Sequence, residues 1–594
     1  MYFPLTIVTT LTSSSSARTR RKPGPVTEGV DFTWGAQIPL RDGAKLGASI
    51  YRPKGTDSRT PVIFTLTPYV ADTYHERATY FARNGYAFAL VDCRGRGNST
   101  GKFEPFANEA RDGHDVVEWL AKQPWSNGKV AMWGGSYAGF DQWSTLKESP
   151  PHLETIVPAA SAHPAVDFPF LQNIWYSYML QWLTLTSGRV ANNAIFGDNA
   201  FWIEKFREHY LGHRPYSKLD KTIGNTSTVF QEWLKHPVPD AYWNAMVPSP
   251  EQYRRINIPI LTITGQYDAD QPGALEFYKQ HMRYGSASAK KRHYLIIGPW
   301  DHPGTRTPKQ EVGGLTFGEA SLVDLNQLHK DWYDWTLKNG PKPAFLKKRV
   351  AYYVTRAEEW KYAESFEGMS RKKEVLYLSS ASTTSSGAFN AGMMHTRKPG
   401  NSSPGEFVYD PLDVRMSEVE KDEVKNFITD QRYSTNLFGD GVAYHTQQFG
   451  KESEITGSPR LVLWIAADVP DTDFWARLYE MKLDGTSVFL TEDLIRARYR
   501  VSRTIAKLLK PGRIERCELN NFYFFSRKFS RGSILRLVIR SPNSVYWQKN
   551  YNSGKPVEEE SADDARTAHV KIFHDPTHQS LLEVPTPEPI IFAK

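Results

Sequence analysis

The stretch Lys129-Val-Ala-Met-Trp-Gly-Gly-Ser-Tyr-Ala-Gly139 constrains this chain more than any other. Val130 to Trp133 is a short apolar run that reads as a buried strand, and Phe140 to Leu146 can form a helix. Between them small residues surround one serine, Ser136. A serine on so sharp a strand-to-helix turn is forced into strained backbone angles, and its hydroxyl projects clear of the sheet. Side chains two positions before and after it would collide across the turn. Gly134 and Ala138 meet that need, with Gly139 next along. The strict pattern carries glycine at 138, so the match is relaxed, and an ordinary turn of short residues is the competing reading.

The chain has 594 residues, enough for three or four domains and a large core. Its net charge of +8 is concentrated at one end. Residues 1–27 hold Arg18, Arg20, Arg21 and Lys22 and no acid, and without them the other 567 residues carry +4. That leaves no basic face for nucleic acid, and a solvated tail accounts for the excess. Cys93 and Cys517 lie far apart, so neither a disulfide framework nor a cysteine metal site defines the fold. No apolar run reaches the length needed to span a bilayer. Met1 to Ala17 is faintly like an export signal but lacks a basic start, and its arginines follow it. The reading is a disordered leader and a cytoplasmic protein ahead of a secreted or periplasmic one.

Along the chain, Trp34–Ile38 and Leu46–Tyr51 alternate as paired strands around Asp42-Gly43. Pro61–Leu66, Tyr86–Val91, Val130–Trp133 and Thr155–Pro158 are apolar without alternation, and helical segments such as Thr79–Asn84 and Asp112–Lys122 separate them. That rhythm indicates a parallel sheet covered on both faces. It breaks over 164–254, which is rich in aromatics at helical spacing, and resumes at Ile258–Thr264 and His293–Ile297. A helix is expected from Glu319 to Leu337. Beyond about Ala344 strand patterns dominate, from Val350–Val354 onward, with a Ser/Gly/Pro-rich loop over Ser380–Gly405. The expected organisation is a leader (1–28), a first α/β part (29–163), a helical insertion (164–254), a second α/β part (255–345) and a β-sandwich (346–594).

A serine hydroxyl is a poor nucleophile unless a base takes its proton, and the base needs a carboxylate to fix its tautomer. In this class of fold the order is serine, acid, histidine, each at the C-terminal end of a strand. Asp268 follows the strand 258–264, and His302 follows the strand 293–297. His293 begins a strand and falls at the wrong end of the sheet. Asp270 is a rival for the acid, and Asp301 is too close in sequence to orient His302. The oxyanion formed by attack needs donors: the backbone N–H of Tyr137, and from the loop Thr67-Pro-Tyr69 the phenol of Tyr69.

Together Pro68-Tyr69, Asp92-Cys-Arg-Gly-Arg-Gly-Asn-Ser99, Gly134-Gly-Ser-Tyr-Ala-Gly139, Tyr267-Asp268 and Gly298-Pro-Trp-Asp-His302 resemble the cocaine esterase-like family. Its relatives include glutaryl acylases, α-amino acid ester hydrolases and X-Pro dipeptidyl-peptidases. Asp471-Thr-Asp-Phe474 and Leu494-Ile-Arg-Ala-Arg-Tyr499 resemble its C-terminal domain, so the likeness spans about residues 30 to 590. The resemblance implies an α/β-hydrolase sheet with an inserted helical cap, followed by an all-β jelly-roll sandwich packed beside the site. It implies Ser136 as nucleophile, His302 as base, Asp268 as its partner, and Tyr69 with Tyr137 as oxyanion hole, with no cofactor. Ala138 departs from members with a bulkier residue there, which bears on substrate preference. Amino-ester hydrolases of the family carry an ammonium-binding carboxylate two residues past the triad acid. Asp270 stands there, and a solvated loop aspartate is the competing reading.

The expected function is therefore a serine hydrolase of ester or amide bonds working through an acyl-enzyme, on a small-molecule or short-peptide acyl substrate. A dipeptidyl-peptidase or aminoacyl hydrolase that recognises a free α-amino group is the narrower alternative. A non-catalytic protein whose sandwich grips a ligand through aromatics such as Trp475 and Trp547 is the alternative of another class. No His-Glu-x-x-His pattern supports a metallohydrolase, and Gly95-Arg-Gly97 lacks the lysine and spacing of a phosphate loop. The sequence leaves the oligomeric state open.

Overall fold

The computed structural model describes residues 28–55, 58–380 and 392–593. Residues 1–27 of the expected leader lie outside the described residues. Ten strands build the first sheet: β1 (Val30–Pro39), β2 (Lys45–Pro53), β3 (Thr60–Thr67), β4 (Ala87–Asp92), β5 (Ser126–Ser136), β6 (Leu153–Ser161), β7 (Ile260–Tyr267), β8 (His293–Asp301), β9 (Val350–Val354) and β10 (Glu359–Ala363). Their spatial order is β1-β2-β4-β3-β5-β6-β7-β8-β9-β10. From β4 to β9 all neighbours are parallel, and β1, β2 and β10 close the edges through antiparallel pairs.

The unalternating apolar runs follow from burial on both faces. Val62, Phe64 and Leu66 of β3 pack in the core that also holds α2 (Glu109–Ala121) and α3 (Tyr137–Lys147). Ile63 between them faces the opposite core, with Phe81 of α1 (His75–Arg83) and Trp332 of the helix Leu325–Lys338. Each strand thus serves two hydrophobic layers.

Three expectations are corrected. Val350–Val354 is a strand of this sheet, not the first of the sandwich: it pairs in parallel with β8, and all five residues are buried. Strand character resumes there because the parallel sheet still needs an outer neighbour. The helix expected from Glu319 begins at Leu325, because the Asp324 carboxylate caps it by accepting from the Gln327 N–H. Residues Glu319–Ser321 form a separate 3-10 turn. The expected loop Ser380–Gly405 contains a strand, Gly392–His395, paired with Lys372–Ser380. The remainder at 381–391 lies outside the described residues.

Between β6 and β7 the chain is mainly helical, including α4 (Tyr178–Leu185), with a minor hairpin at Phe170–Leu171 and Ile174–Trp175 that the sequence did not reveal. Trp175, Trp202, Trp233 and Trp243 are buried core. After β10 an eleven-stranded sheet folds over one core. Leu461, Ile465 and Val570 from one part of it meet Phe474, Leu478, Leu535 and Leu537 from another.

The sandwich motifs pair with one another. Arg496 forms a bidentate pair with Asp473 (3.0 Å each), and Arg498 bonds Asp471 (2.8 Å). The Asn550 amide donates to both carboxylates. Arg496 also donates to the Asn173 carbonyl (3.0 Å), which fastens the sandwich to the inserted segment. Among the described residues no helix is long and apolar enough to cross a membrane.

Candidate active site

The C-terminal edge of the sheet gathers the predicted residues. β5 ends at Ser136, whose φ of 62° is left-handed, and α3 starts at the next residue. This strained angle persists because its surroundings are close-packed. A Cβ on Gly134 would stand 2.7 Å from the Ala138 Cβ, so each of the two positions limits the other to a small residue. One on Gly139 would stand 2.6 Å from Ser161 Oγ, which lets α3 lie tight against β6.

β3 ends at Thr67 and delivers Tyr69, whose hydroxyl lies 3.5 Å from Ser136 Oγ. Burial pushes the Tyr69 phenol above its ordinary range, so it remains a neutral donor at neutral pH. Tyr137 is the first residue of α3, where a backbone N–H has no intrahelical acceptor. Its ring is held behind the turn, with the hydroxyl donating to Glu109 Oε1 (2.5 Å) and accepting from the Phe106 N–H (2.6 Å).

Asp268 follows β7 and His302 follows β8, on adjacent strands, and both are buried. The His302 Nδ1–H donates to Asp268 Oδ1 (2.8 Å), which leaves Nε2 as the basic nitrogen. The same Oδ1 accepts the Asp270 N–H (3.0 Å), and Oδ2 accepts from Thr264 Oγ1 (3.0 Å). Among the described residues no hydrogen bond joins Ser136 to His302; catalytic hydrogen bonds are often long without substrate and shorten once it binds. His293 begins β8, at the far end of the sheet, bonded to His281 and Thr262.

Ser136 opens into a pocket of ≈ 800 Å³, its mouth included. Phe168, Tyr176, Tyr178 and Trp182 of the inserted segment line it, with Tyr523, Tyr546 and Trp547 of the sandwich. Asp270 is on its wall, not in solvent: its side chain is 14% exposed, and Oδ2 lies 3.7 Å from His302 Nδ1. Among the described residues its carboxylate accepts no hydrogen bond. Burial is the main cause that pushes its pKa up, while the His302 imidazole opposes the rise. Asp167 lies beside it, accepting backbone N–H groups of His163 (2.8 Å) and Gly273 (2.5 Å), its pKa pushed up to about 8 by burial.

Sequence reasoning missed Asp167, Tyr523 and Tyr546. The aromatic density of 164–254 marked the inserted wall in general, but no spacing marks a sandwich loop that reaches the site from 250 residues away. The Tyr523 hydroxyl donates to the Ala269 carbonyl (3.4 Å), beside Asp270.

Comparison with known proteins agrees with this architecture. The profile of the X-Pro dipeptidyl-peptidase (S15) family matches residues 42–304, and that of the X-Pro dipeptidyl-peptidase C-terminal non-catalytic domain matches residues 344–583. Residues 42–304 and 344–583 thus carry the two domains of this family, and the protein is a serine-type hydrolase. Hydrolysis of ester or amide bonds is its reaction class. The cocaine esterase of Rhodococcus sp. (strain MB1 Bresler) is 25% identical, over 92% of this chain and 97% of that protein. Two solved structures share the fold over nearly the whole of both chains. An α-amino acid ester hydrolase has a TM-score of 0.79 at 20% identity, covering 98% of this chain and 100% of that one. An aminopeptidase from a marine sediment Thaumarchaeota archaeon has a TM-score of 0.78 at 21% identity, covering 96% and 99%.

Proposed function

We propose that Ser136, His302 and Asp268 form the catalytic triad, that Tyr69 and the Tyr137 N–H form the oxyanion hole, and that Asp270 receives a substrate α-ammonium group. Ser136 Oγ attacks the acyl carbon while its proton passes to His302 Nε2. The tetrahedral oxyanion accepts the Tyr69 phenol and the Tyr137 N–H. As the intermediate collapses, His302 returns the proton to the leaving alcohol or amine. Water, deprotonated by the same imidazole, then releases the acid and frees Ser136.

The observation that carries this reading is the strained Ser136, with the Tyr69 hydroxyl at its Oγ and a histidine–carboxylate pair at the ends of the next two strands beyond β6. The aromatic walls favour an apolar acyl body. The amine reading rests on Asp270: a largely buried carboxylate that accepts no hydrogen bond among the described residues is stabilised by an arriving cation. A purified Ser136→Ala variant, assayed on p-nitrophenyl esters and aminoacyl p-nitroanilides, tests the proposal. Its turnover should fall by roughly a million-fold, and retained turnover refutes the assignment.

A further inference from the structure

We infer that Trp182 is a positioning residue that aims the Tyr69 phenol, making α4 of the inserted segment part of the oxyanion machinery. The inference rests on the reading of Tyr69 as an oxyanion donor. The Trp182 Nε1–H donates to the Tyr69 hydroxyl oxygen at 3.0 Å. A phenol has one proton and can rotate it between two in-plane directions. With the indole N–H occupying the oxygen's acceptor side, that proton is left to point toward Ser136 Oγ, 3.5 Å away. An accepted hydrogen bond also polarises the O–H, so the phenol becomes a better donor when negative charge develops. The indole itself is buried.

The indole is itself fixed on several sides. It stacks on Tyr137 (centroids 5.5 Å apart, planes at 20°) and meets Phe168 edge-on at 5.2 Å. Tyr137 supplies the other oxyanion donor, so one ring braces both halves of the hole.

A second tie is independent of the ring. The fully buried Arg96 donates from Nε to the Pro68 carbonyl (2.7 Å), next to Tyr69, and from Nη1 to the Thr186 carbonyl (2.7 Å), next to the end of α4. One guanidinium therefore holds the Tyr69 loop and α4 at a fixed separation. Displacing α4 would shift the phenol with it. The Asp92–Ser99 motif acquires a physical role here, since Arg96 is its central cation.

The test is a double-mutant cycle of Trp182→Phe and Tyr69→Phe, with wild-type melting temperature required of each variant. Phenylalanine keeps an aromatic ring at 182 but removes the N–H together with part of the bicycle, so it is the cycle, and not the single variant, that isolates the hydrogen bond. Single-turnover acylation by a p-nitrophenyl ester and the rate of fluorophosphonate labelling are both read, because the second reports the hole independently of the acyl pocket. Trp182→Phe should slow both rates about three- to tenfold, the scale of one neutral hydrogen bond, with KM changed less. Tyr69→Phe should slow them about a hundred- to a thousandfold, and adding Trp182→Phe to it should cost nothing further. A full, undiminished Trp182→Phe loss in the Tyr69→Phe background overturns the inference, because the ring would then act through packing alone. So does a Trp182→Phe enzyme with wild-type rates. A Tyr69→Phe enzyme with wild-type rates would instead remove Tyr69 from the oxyanion hole, and this inference with it.

Discussion

Replacing Asp268 by asparagine separates charge from geometry in this site. Asp268 Oδ1 accepts from His302 Nδ1 and from the Asp270 N–H, while among the described residues Oδ2 accepts only from the Thr264 hydroxyl. An asparagine can put its carbonyl oxygen at the Oδ1 position and its NH₂ toward Thr264, whose hydroxyl can turn round and accept. The His302 tautomer is then preserved, and the variant loses only the negative charge that stabilises the imidazolium. Charge centres about 4 Å apart interact by roughly 4 kcal/mol at an effective dielectric constant near 20. At about 1.36 kcal/mol per decade, that is about a thousandfold in kcat. Asp270 is the complication, since its Oδ2 is 3.7 Å from the same nitrogen. On a p-nitrophenyl ester without an amine, Asp270→Asn alone should cost less than about tenfold, because burial favours the uncharged form of the Asp270 carboxyl when no ammonium is present. Steady-state kcat of both variants decides the matter. An Asp268→Asn loss below tenfold, or a thousandfold loss confined to Asp270→Asn, would refute the assignment of the acid.

On paired aminoacyl and desamino esters, Asp270→Asn should lower kcat/KM at least tenfold more for the amine-bearing partner, the scale of a charge-assisted hydrogen bond; equal losses remove Asp270 from amine recognition. Burial pushes the Glu109 carboxyl from its ordinary 4.5 up to about 7, so the fold favours its protonated form. That contribution is fully present below about pH 4.5 and fades as pH rises through about 7, so the wild-type advantage in melting temperature over Glu109→Gln should shrink from pH 5 to pH 8. A constant difference contradicts it. Gly134→Ala forces a Cβ to 2.7 Å from the Ala138 Cβ at a φ of 155°, and should cost about 1–3 kcal/mol in urea denaturation together with turnover. Asp473→Ala strips the buried Arg496 of its bidentate partner and should destabilise the protein by about 3–5 kcal/mol, read by the same denaturation; a neutral result would mean the pair does not fasten the sandwich.

Much of the C-terminal edge of the sheet is legible because its residues obey local rules. Strand-to-helix turns with small flanking residues and buried apolar strands leave a signature within about ten residues of chain, which is why Ser136, Asp268 and His302 can be located by where each strand stops. Tyr69 follows from the same reasoning, as the residue just past β3. The walls of the pocket obey no local rule. Trp547 looks like any strand aromatic, and Tyr523 and Tyr546 line the serine's pocket because the sandwich docks against the inserted segment, through contacts such as Arg496 to Asn173. Asp270 has the sequence surroundings of a solvated loop, and it is the packing of Tyr176 and Tyr523 around it that desolvates it. Val350–Val354 joins the first sheet and not the sandwich its pattern suggests for a similar reason: a five-residue apolar run carries no mark of which neighbour it joins. Trp182 reads as one more core tryptophan until its N–H is seen to end on Tyr69.

The central claim is that one serine, raised on the turn between β5 and α3, is the group that becomes acylated. Incubating the full-length protein with a fluorophosphonate probe and mapping the adduct by peptide mass spectrometry addresses it directly. The account predicts a single modification on Ser136, abolished in Ser136→Ala and slowed in His302→Ala. An adduct on another residue, or a hydrolase that turns over its ester while Ser136 stays unmodified, would contradict it.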